Sequence, residues 1–289
     1  MLRRFKRREP PPEAPKDRVS VIIVSYNNAR HVAKCLDALR QQTAPPHQII
    51  LVDTGSDDLG YLDEYRDQLH VIEAEPESGF CAGNNAGYLA VDPESDAVLF
   101  LNPDAFLFPD FLENGMRYLS HHPDVGAVTG LTLGYDFETN KPTGLIDTTG
   151  VFSTWYGKWY DRDQGTPYER ENTSEPGEVS AICGAVFLGK KSALDQARID
   201  REVMNSCFFM YKEDIDLSLR LIDKGWKLRY IPELKAYHCR GWNKNRKRMP
   251  RKYRLCSARN DLRVNWGRKH AVGSLYSMTK YLAVKVFNC

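Results

Sequence analysis

No stretch of about 18 consecutive apolar residues occurs in this chain, which excludes an ordinary membrane-crossing helix. Basic residues near the start are not followed by an apolar segment, so a cleaved secretory signal is not expected. Cysteine is sparse and scattered: Cys35, Cys81, Cys183, Cys207, Cys239, Cys256 and Cys289 are odd in number and contain no Cys-x-x-Cys pair. That pattern argues against a disulfide scaffold or a zinc ribbon and predicts a reducing, cytoplasmic compartment. Also missing are the Gly-Lys-Ser/Thr ending of a Walker loop and the Gly-x-Gly-x-x-Gly dinucleotide fingerprint. Internal repeats are absent too.

A formal charge of +2 conceals an uneven distribution, because residues 1–8 and 244–254 are strongly basic while acids crowd the centre. Lys244, Arg246, Lys247, Arg248, Arg251, Lys252 and Arg254 could meet the phosphates of a nucleotide, a nucleic acid or an anionic lipid, or form a solvated face. With 289 residues, 42% of them hydrophobic, the chain can bury a large core. Residues 1–18 combine Arg and Lys with Pro10, Pro11, Pro12 and Pro15 and predict a flexible basic tail.

Beyond residue 18, buried-strand runs alternate with helical spacing. Strands are predicted at 19–25, 49–52, 70–73, 97–101, 180–188, 228–231 and 235–237. Helices are predicted at 29–42, 59–69, 79–91, 111–121, 191–198, 214–224 and across most of 251–285. Residues 130–178 read as an irregular specificity region. This order predicts βαβ units around a mostly parallel sheet, whose carboxyl edge binds ligands in open α/β folds.

The acids fall where such an edge would be. Val98-Leu99-Phe100-Leu101 runs into Asn102-Pro103-Asp104, as a buried strand delivering a carboxylate does. Asp53 follows Ile49–Val52 and could accept hydrogen bonds from a base or ribose, or merely form a turn; Asp57 and Asp58 then suit the start of a helix. In Gly79-Phe80-Cys81-Ala82-Gly83-Asn84-Asn85-Ala86-Gly87 the glycines allow close approach to a ligand, while Asn84 and Asn85 could bond a sugar or cap a helix. Asp104 is the best candidate for a hard cation that holds a diphosphate. His238 could add an imidazole ligand, which suits Mn2+ better than Mg2+, or be structural. Glu213-Asp214-Ile215-Asp216 opens a helix directly after the aromatic Phe208-Phe209-Met210-Tyr211. A carboxylate desolvated there gains the proton affinity of a useful base.

Together these segments resemble the inverting nucleotide-sugar glycosyltransferases of family two, with the GT-A fold, particularly bacterial rhamnosyltransferases. The matching pieces are Val21–Asn27, Leu51–Asp57, Gly79–Asn85, Leu101–Asp104, Cys183-Gly184-Ala185 and Glu213–Leu217, in the family's order across about residues 19–242. The resemblance implies a Rossmann-like, mostly parallel sheet flanked by helices. Residues 19–129 would form the nucleotide-sugar half and 130–242 the acceptor and catalytic half, and 243–289 a basic loop with a helical extension.

It further implies that Ser25, Tyr26, Asn27 and Asp53 hold the nucleoside, with Gly83, Asn84 and Asn102 close to the donor. Asp104 would close the family's Asp-x-Asp metal motif, in which Asn102 replaces the first aspartate. Asp214 would be the base, and His238 would approach the metal or the diphosphate. Lys244, Arg246 and Arg248 are candidates to neutralise the leaving group from a loop that orders over the donor. The implied cofactor is Mn2+ or Mg2+; the implied donor is dTDP-rhamnose or a UDP-hexose; the implied acceptor is a glycan or a lipid-linked sugar.

Leu275, Met278, Leu282 and Val286 share one helical face near Lys280 and Lys285. That stripe could lie on the anionic cytoplasmic face of a membrane or pack within a homo-oligomer. The rival reading is a non-enzymatic protein that binds nucleic acid or an anionic surface through residues 244–254. It leaves Asp53, Asp104 and Asp214 without a role.

Overall fold

The structure, a computed structural model, describes residues 17–169, 175–239 and 249–287. The expected basic tail, except for Asp17 and Arg18, therefore lies outside the described residues, as do Lys244, Arg246, Lys247 and Arg248. Arg18 is tied down, its backbone N–H donating to Asp96 Oδ2 at 3.0 Å.

The first half follows the predicted alternation. β1 (Val19–Ser25) is buried throughout, and α1 (Ala29–Arg40) packs through Val32, Cys35, Leu36 and Leu39. Next come β2 (Gln48–Asp53), β3 (His70–Glu73), α2 (Gly79–Leu89), β4 (Ala97–Leu101), β5 (Ala105–Leu107) and α3 (Phe111–His121). Two glycines a helical turn apart let α2 lie flat on the sheet. A Cβ on Gly83 would stand 2.7 Å from Val24 and 2.8 Å from Thr54, and one on Gly87 2.5 Å from Ile22.

The second half departs from the sequence reading in instructive ways. Much of the supposedly irregular 130–178 region is strand: β6 (Val125–Asp136) and β7 (Lys141–Thr148) form an antiparallel pair, and β8 (Val151–Ser153) pairs with β9 (Trp159–Asp161). Glycines at 126, 130 and 134 broke the alternation that would have announced β6. Gly130 is required by packing, since a Cβ there would collide with the Leu234 carbonyl at 1.6 Å.

After β10 (Gly177–Glu178), the strand expected at 180–188 is shorter and later, as β11 (Val186–Lys190), which leaves Gly184 in the turn that precedes it. α4 (Lys191–Ala197) and α5 (Glu213–Asp223) follow. The two short strands near 228–237 are one strand, β12 (Lys227–His238), with a register shift between Ile231 and Lys235. Pro232 lies in that shift and lacks the N–H a regular ladder needs. The final helical region is a pair, α6 (Arg251–Gly267) and α7 (Ala271–Phe287). The helix expected at 59–69 is only a 3-10 turn, Gly60–Glu64.

All but the β8–β9 hairpin belong to one sheet, ordered β10-β12-β6-β11-β4-β1-β2-β3, with β5 on β12 and β7 on β6. β3, β2, β1, β4, β6 and β12 point the same way, because β11 is antiparallel to both β4 and β6. This is the expected α/β architecture, a mostly parallel sheet flanked by helices with a helical C-terminal extension. The carboxyl ends of β1, β2, β4 and β12 therefore share one edge, where such sheets bind ligands. No helix among the described residues is long and apolar enough to cross a membrane.

Candidate functional site

Ser25 and Asp53 are register partners at the ends of β1 and β2. Asp53 is fully buried, and its own turn engages it. Oδ1 accepts from the N–H of Gly55 at 2.9 Å and of Ser56 at 2.7 Å, and Oδ2 from Ser56 Oγ and Tyr61 OH, each at 2.6 Å. The Tyr61 oxygen also lies within hydrogen-bond distance of Ser25 Oγ, at 2.9 Å. With four donors already on it, the Asp53 carboxylate organises the rim.

Asn27, in the left-handed region at φ 54, stitches the neighbouring loops together. Its N–H donates to Ser56 Oγ at 2.7 Å, its amide donates to Asp57 Oδ2 at 3.0 Å, and its Oδ1 accepts from the Asp57 N–H at 2.8 Å. Asp57 is thus a loop fastener instead of a helix-start acid, and Asp58 accepts from the Gly60 N–H. The Tyr26 side chain remains exposed beside them.

On α2, Asn84 is buried and donates to the Phe80 carbonyl one turn back at 2.9 Å. Asn85 exchanges two hydrogen bonds with the backbone of Met204, at 2.7 and 2.8 Å. Neither side chain caps the helix; its N-cap, Ser78, also makes no side-chain capping bond.

Asp104 follows β4 and faces β12, whose last residue is His238. The His238 ring is nearly buried: Nδ1 lies 2.8 Å from Asp147 Oδ2, and Nε2 3.4 Å from Asp104 Oδ1. Burial opposes the charged imidazole, but Asp104 and Asp147 outweigh it and raise its pKa to about 9. Asp104 is likewise opposed by burial, yet His238 and His31 hold it below the ordinary carboxylate range. Asp147, fully buried on β7, lay inside the region read as irregular; no local pattern marked it as a partner of His238.

Two protein donors 3.4 Å apart suit adjacent corners of an octahedral cation, for which bonds of about 2.1 Å place neighbours about 3 Å apart. Asn102 Oδ1, two residues before Asp104 in the chain, is buried with no hydrogen-bond partner among the described residues. Asp147 on Nδ1 is the kind of outer partner that orients a ligating histidine. Among the described residues, no group of three or more His, Cys, Asp or Glu could hold a metal, so phosphate oxygens and water would have to complete the shell.

Asp214 lies in the first turn of α5. Its Oδ2 accepts from the Gly184 N–H at 2.9 Å and its Oδ1 from the Ile215 N–H at 2.8 Å. Burial raises its proton affinity, while the Gly184 bond works the other way. Next to it Glu213 is buried, with Oε2 lacking a hydrogen-bond partner among the described residues. Burial first, then Asp214, pushes the Glu213 carboxyl well above the usual range. The two acidic stations meet through one short segment: Gly184 donates to Asp214, and the adjacent Ala185 carbonyl accepts from the Asn102 N–H at 2.9 Å.

The family model for glycosyl transferase family 2 matches residues 20–198 of this sequence. The chain belongs to that family. Over 238 residues this family 2 glycosyltransferase is 25% identical to N-acetylglucosaminyl-diphospho-decaprenol L-rhamnosyltransferase of Mycobacterium tuberculosis, covering 77% of this chain and 76% of the relative. It is 27% identical over 232 residues to rhamnosyltransferase WbbL of Escherichia coli K12, covering 76% and 83%.

Two solved structures share its fold. GalNAc-T7 with UDP, GalNAc and Mn2+ gives a TM-score of 0.61 at 16% identity, covering 83% of this chain and 48% of that one. Mannosyltransferase PcManGT of Pyrobaculum calidifontis with GDP-Man and Mn2+ gives 0.57 at 17%, covering 88% and 66%. The glycosyltransferase chain described here thus spans about half of the first and about two thirds of the second. At these identities the likeness is one of fold, the GT-A fold. The family match takes in Ser25, Asn27, Asp53, Asn84, Asp104 and Gly184 and ends before Asp214 and His238.

Proposed function

We propose that this glycosyltransferase moves rhamnose from dTDP-rhamnose, or a hexose from a UDP-hexose, to a hydroxyl of a cell-surface glycan or lipid-linked acceptor, with inversion at the anomeric carbon. The rhamnosyltransferase relatives support the choice of sugar and, through the decaprenol-linked compound in one name, the class of acceptor. The observation that carries the chemistry is the contrast between two acids near the carboxyl end of β4: Asp104 stands 3.4 Å from the His238 imidazole, whereas partly buried Asp214 is held by the Gly184 N–H. The first setting favours the ionised carboxylate and burial in the second raises its proton affinity.

Asp214 removes the proton of the acceptor hydroxyl as its oxygen attacks the anomeric carbon, and the bond to the diphosphate breaks on the opposite face. Ser25, Tyr26, Asn27 and Asp53 shape the nucleoside end, with Gly83, Asn84 and Asn102 near the sugar. Asp104 and His238 would hold Mn2+ or Mg2+, which, when bound, offsets charge on the diphosphate. The Mn2+ in two proteins of the same fold supports this part of the reading. Lys244, Arg246 and Arg248 would add positive charge to the leaving group. In this reading residues 19–129 serve the donor, 130–242 the acceptor and catalysis, and 243–289 the approach to the substrate surface.

The C-terminal pair belongs to the proposal as a membrane contact on the cytoplasmic side. Leu275, Met278, Leu282 and Val286 are exposed along one face of α7. Residues 240–289 contain fourteen Lys or Arg and a single acid, Asp261. Apolar relief within so cationic a segment fits an anionic lipid surface. The nucleic-acid reading has no such support, since three carboxylates on the proposed ligand edge would repel phosphate in the absence of a cation.

The test is binding and hydrolysis of a panel of nucleotide sugars, with and without Mn2+ or Mg2+, in the unmodified protein, Asp104→Ala and Asp214→Asn. Metal-dependent binding lost in the first variant, and turnover lost without binding in the second, is the expected pattern. Absence of binding to every donor would sink the proposal.

A further inference from the structure

The segment that delivers Asp214 is strained, and side chains of α6, with Asn260 at their centre, hold it. Phe209, Tyr211 and Lys212 all have left-handed backbone, at φ 61, 68 and 74, and none is glycine. At Phe209 ψ is −60, and the Met210 N–H reaches back to the Phe208 carbonyl at 2.6 Å. That is a γ-turn of the rare, strained hand. Left-handed backbone at three of four consecutive non-glycine residues persists only where its surroundings over-determine it.

Asn260 supplies that constraint. Fully buried on α6, it directs Nδ2 at the carbonyls of Phe208, Met210 and Tyr211, at 2.8, 2.9 and 2.9 Å. Cys256, one turn earlier, directs its thiol at two of the same carbonyls. Arg263, three residues later, donates to Asn260 Oδ1 at 3.0 Å and to the Cys207 carbonyl. From the opposite side the Cys81 N–H of α2 donates to the Phe209 carbonyl at 3.0 Å. A packing interface needs none of this. Apolar contact would hold α6 at lower desolvation cost, yet among its buried residues are Asn260, Asp261 and Asn265.

We infer that Asn260 is a positioning residue for Asp214: it locks the strained 208–212 turn so that α5 begins where the Asp214 carboxylate meets the Gly184 N–H. The inference rests on Asp214 being the base. Releasing the turn lets Tyr211 and Lys212 relax toward ordinary φ, which rotates the first turn of α5 and withdraws the carboxylate. The nucleoside end of the donor site, built on β1 and β2, stays as it is. Asn260 therefore acts on turnover and leaves nucleotide binding alone.

The experiment compares the full-length protein with Asn260→Ala, Asn260→Asp and Asp214→Asn. Titration with dTDP and with UDP by calorimetry gives affinity and the number of sites, and donor hydrolysis is expressed per nucleotide-binding site. Asn260→Asp, which keeps the shape but sets a carboxylate against three carbonyls, is expected to lose at least about tenfold in kcat with nucleotide affinity within about twofold. Adding Tyr211→Gly to Asn260→Ala, so that a glycine takes the left-handed position without strain, is expected to restore part of the turnover.

Unchanged turnover per site in both Asn260 variants, alongside its loss in Asp214→Asn, overturns the inference and leaves the base intact. So does a fall in nucleotide affinity that matches the fall in kcat, or a double variant worse than Asn260→Ala. Full turnover in Asp214→Asn removes the base assignment and this inference with it.

Discussion

Gly184 and Asp214 are joined by a 2.9 Å hydrogen bond, N–H to Oδ2, across a gap tight for a methyl group: a Cβ on Gly184 would stand 3.2 Å from that of Asp214. Gly184→Ala is therefore expected to shift the Asp214 side chain by a few tenths of an ångström. A drop in kcat of about tenfold, with nucleotide affinity preserved, is expected from a displacement of a few tenths of an ångström at a reacting group. The stability cost should stay near 1 kcal/mol. Steady-state kinetics with a calorimetric melt checks both, and wild-type kcat would show that the contact has no bearing on turnover.

Tyr61 spans Ser25 and Asp53, the ends of two strands. Tyr61→Phe removes the hydroxyl that touches both residues and leaves the buried Asp53 one donor short. A loss of about 1–3 kcal/mol in denaturant unfolding is expected, together with weaker binding of nucleoside diphosphate. An unaltered denaturation midpoint would contradict this.

His238 sets a pH dependence with a defined sign. Its folded pKa, about 9, lies above the 6.5 of a free imidazole. The stability it contributes is thus fully present below pH 6.5 and is lost as pH rises through about 9. The rise from 6.5 to about 9 corresponds to on the order of 3 kcal/mol. His238→Gln should remove that part of the slope in chemical denaturation between pH 6 and 10, whereas equal slopes in both proteins would refute the assignment. Because the same proton competes with any cation at Nε2, Mn2+ affinity should rise over the same interval.

The exposed face of α7 can be tested without knowing the acceptor. Flotation with anionic liposomes at low salt should carry the protein upward, and neutral liposomes should not. Leu275→Glu with Leu282→Glu should abolish flotation while leaving nucleotide binding unchanged. Protein that stays at the bottom in every mixture would remove the membrane contact.

The sequence alone places Asp53 at the end of a strand, Asp104 just past one and Glu213-Asp214 at a helix start, because burial along a strand and the charge preference of a helix terminus are local properties. It does not mark Asp147, Tyr61 or Asn260. Tyr61 falls in a segment with helical spacing, whereas the 3-10 turn found there carries its hydroxyl to Asp53. Asp147 lay where glycines masked the alternation of β6 and β7.

What the sequence determined by itself was direction: buried runs separated by helices force parallel strands, and parallel strands bring their terminal residues to one edge. What only the tertiary structure decided was partnership. Asp147 meets His238 across 91 positions, Asn260 meets Phe208 across 52, and Asp214 meets Gly184 across 30. Periodicity reports how a residue faces its own element. Which donor reaches which acceptor depends on where distant segments cross, and that is set by packing of the whole chain.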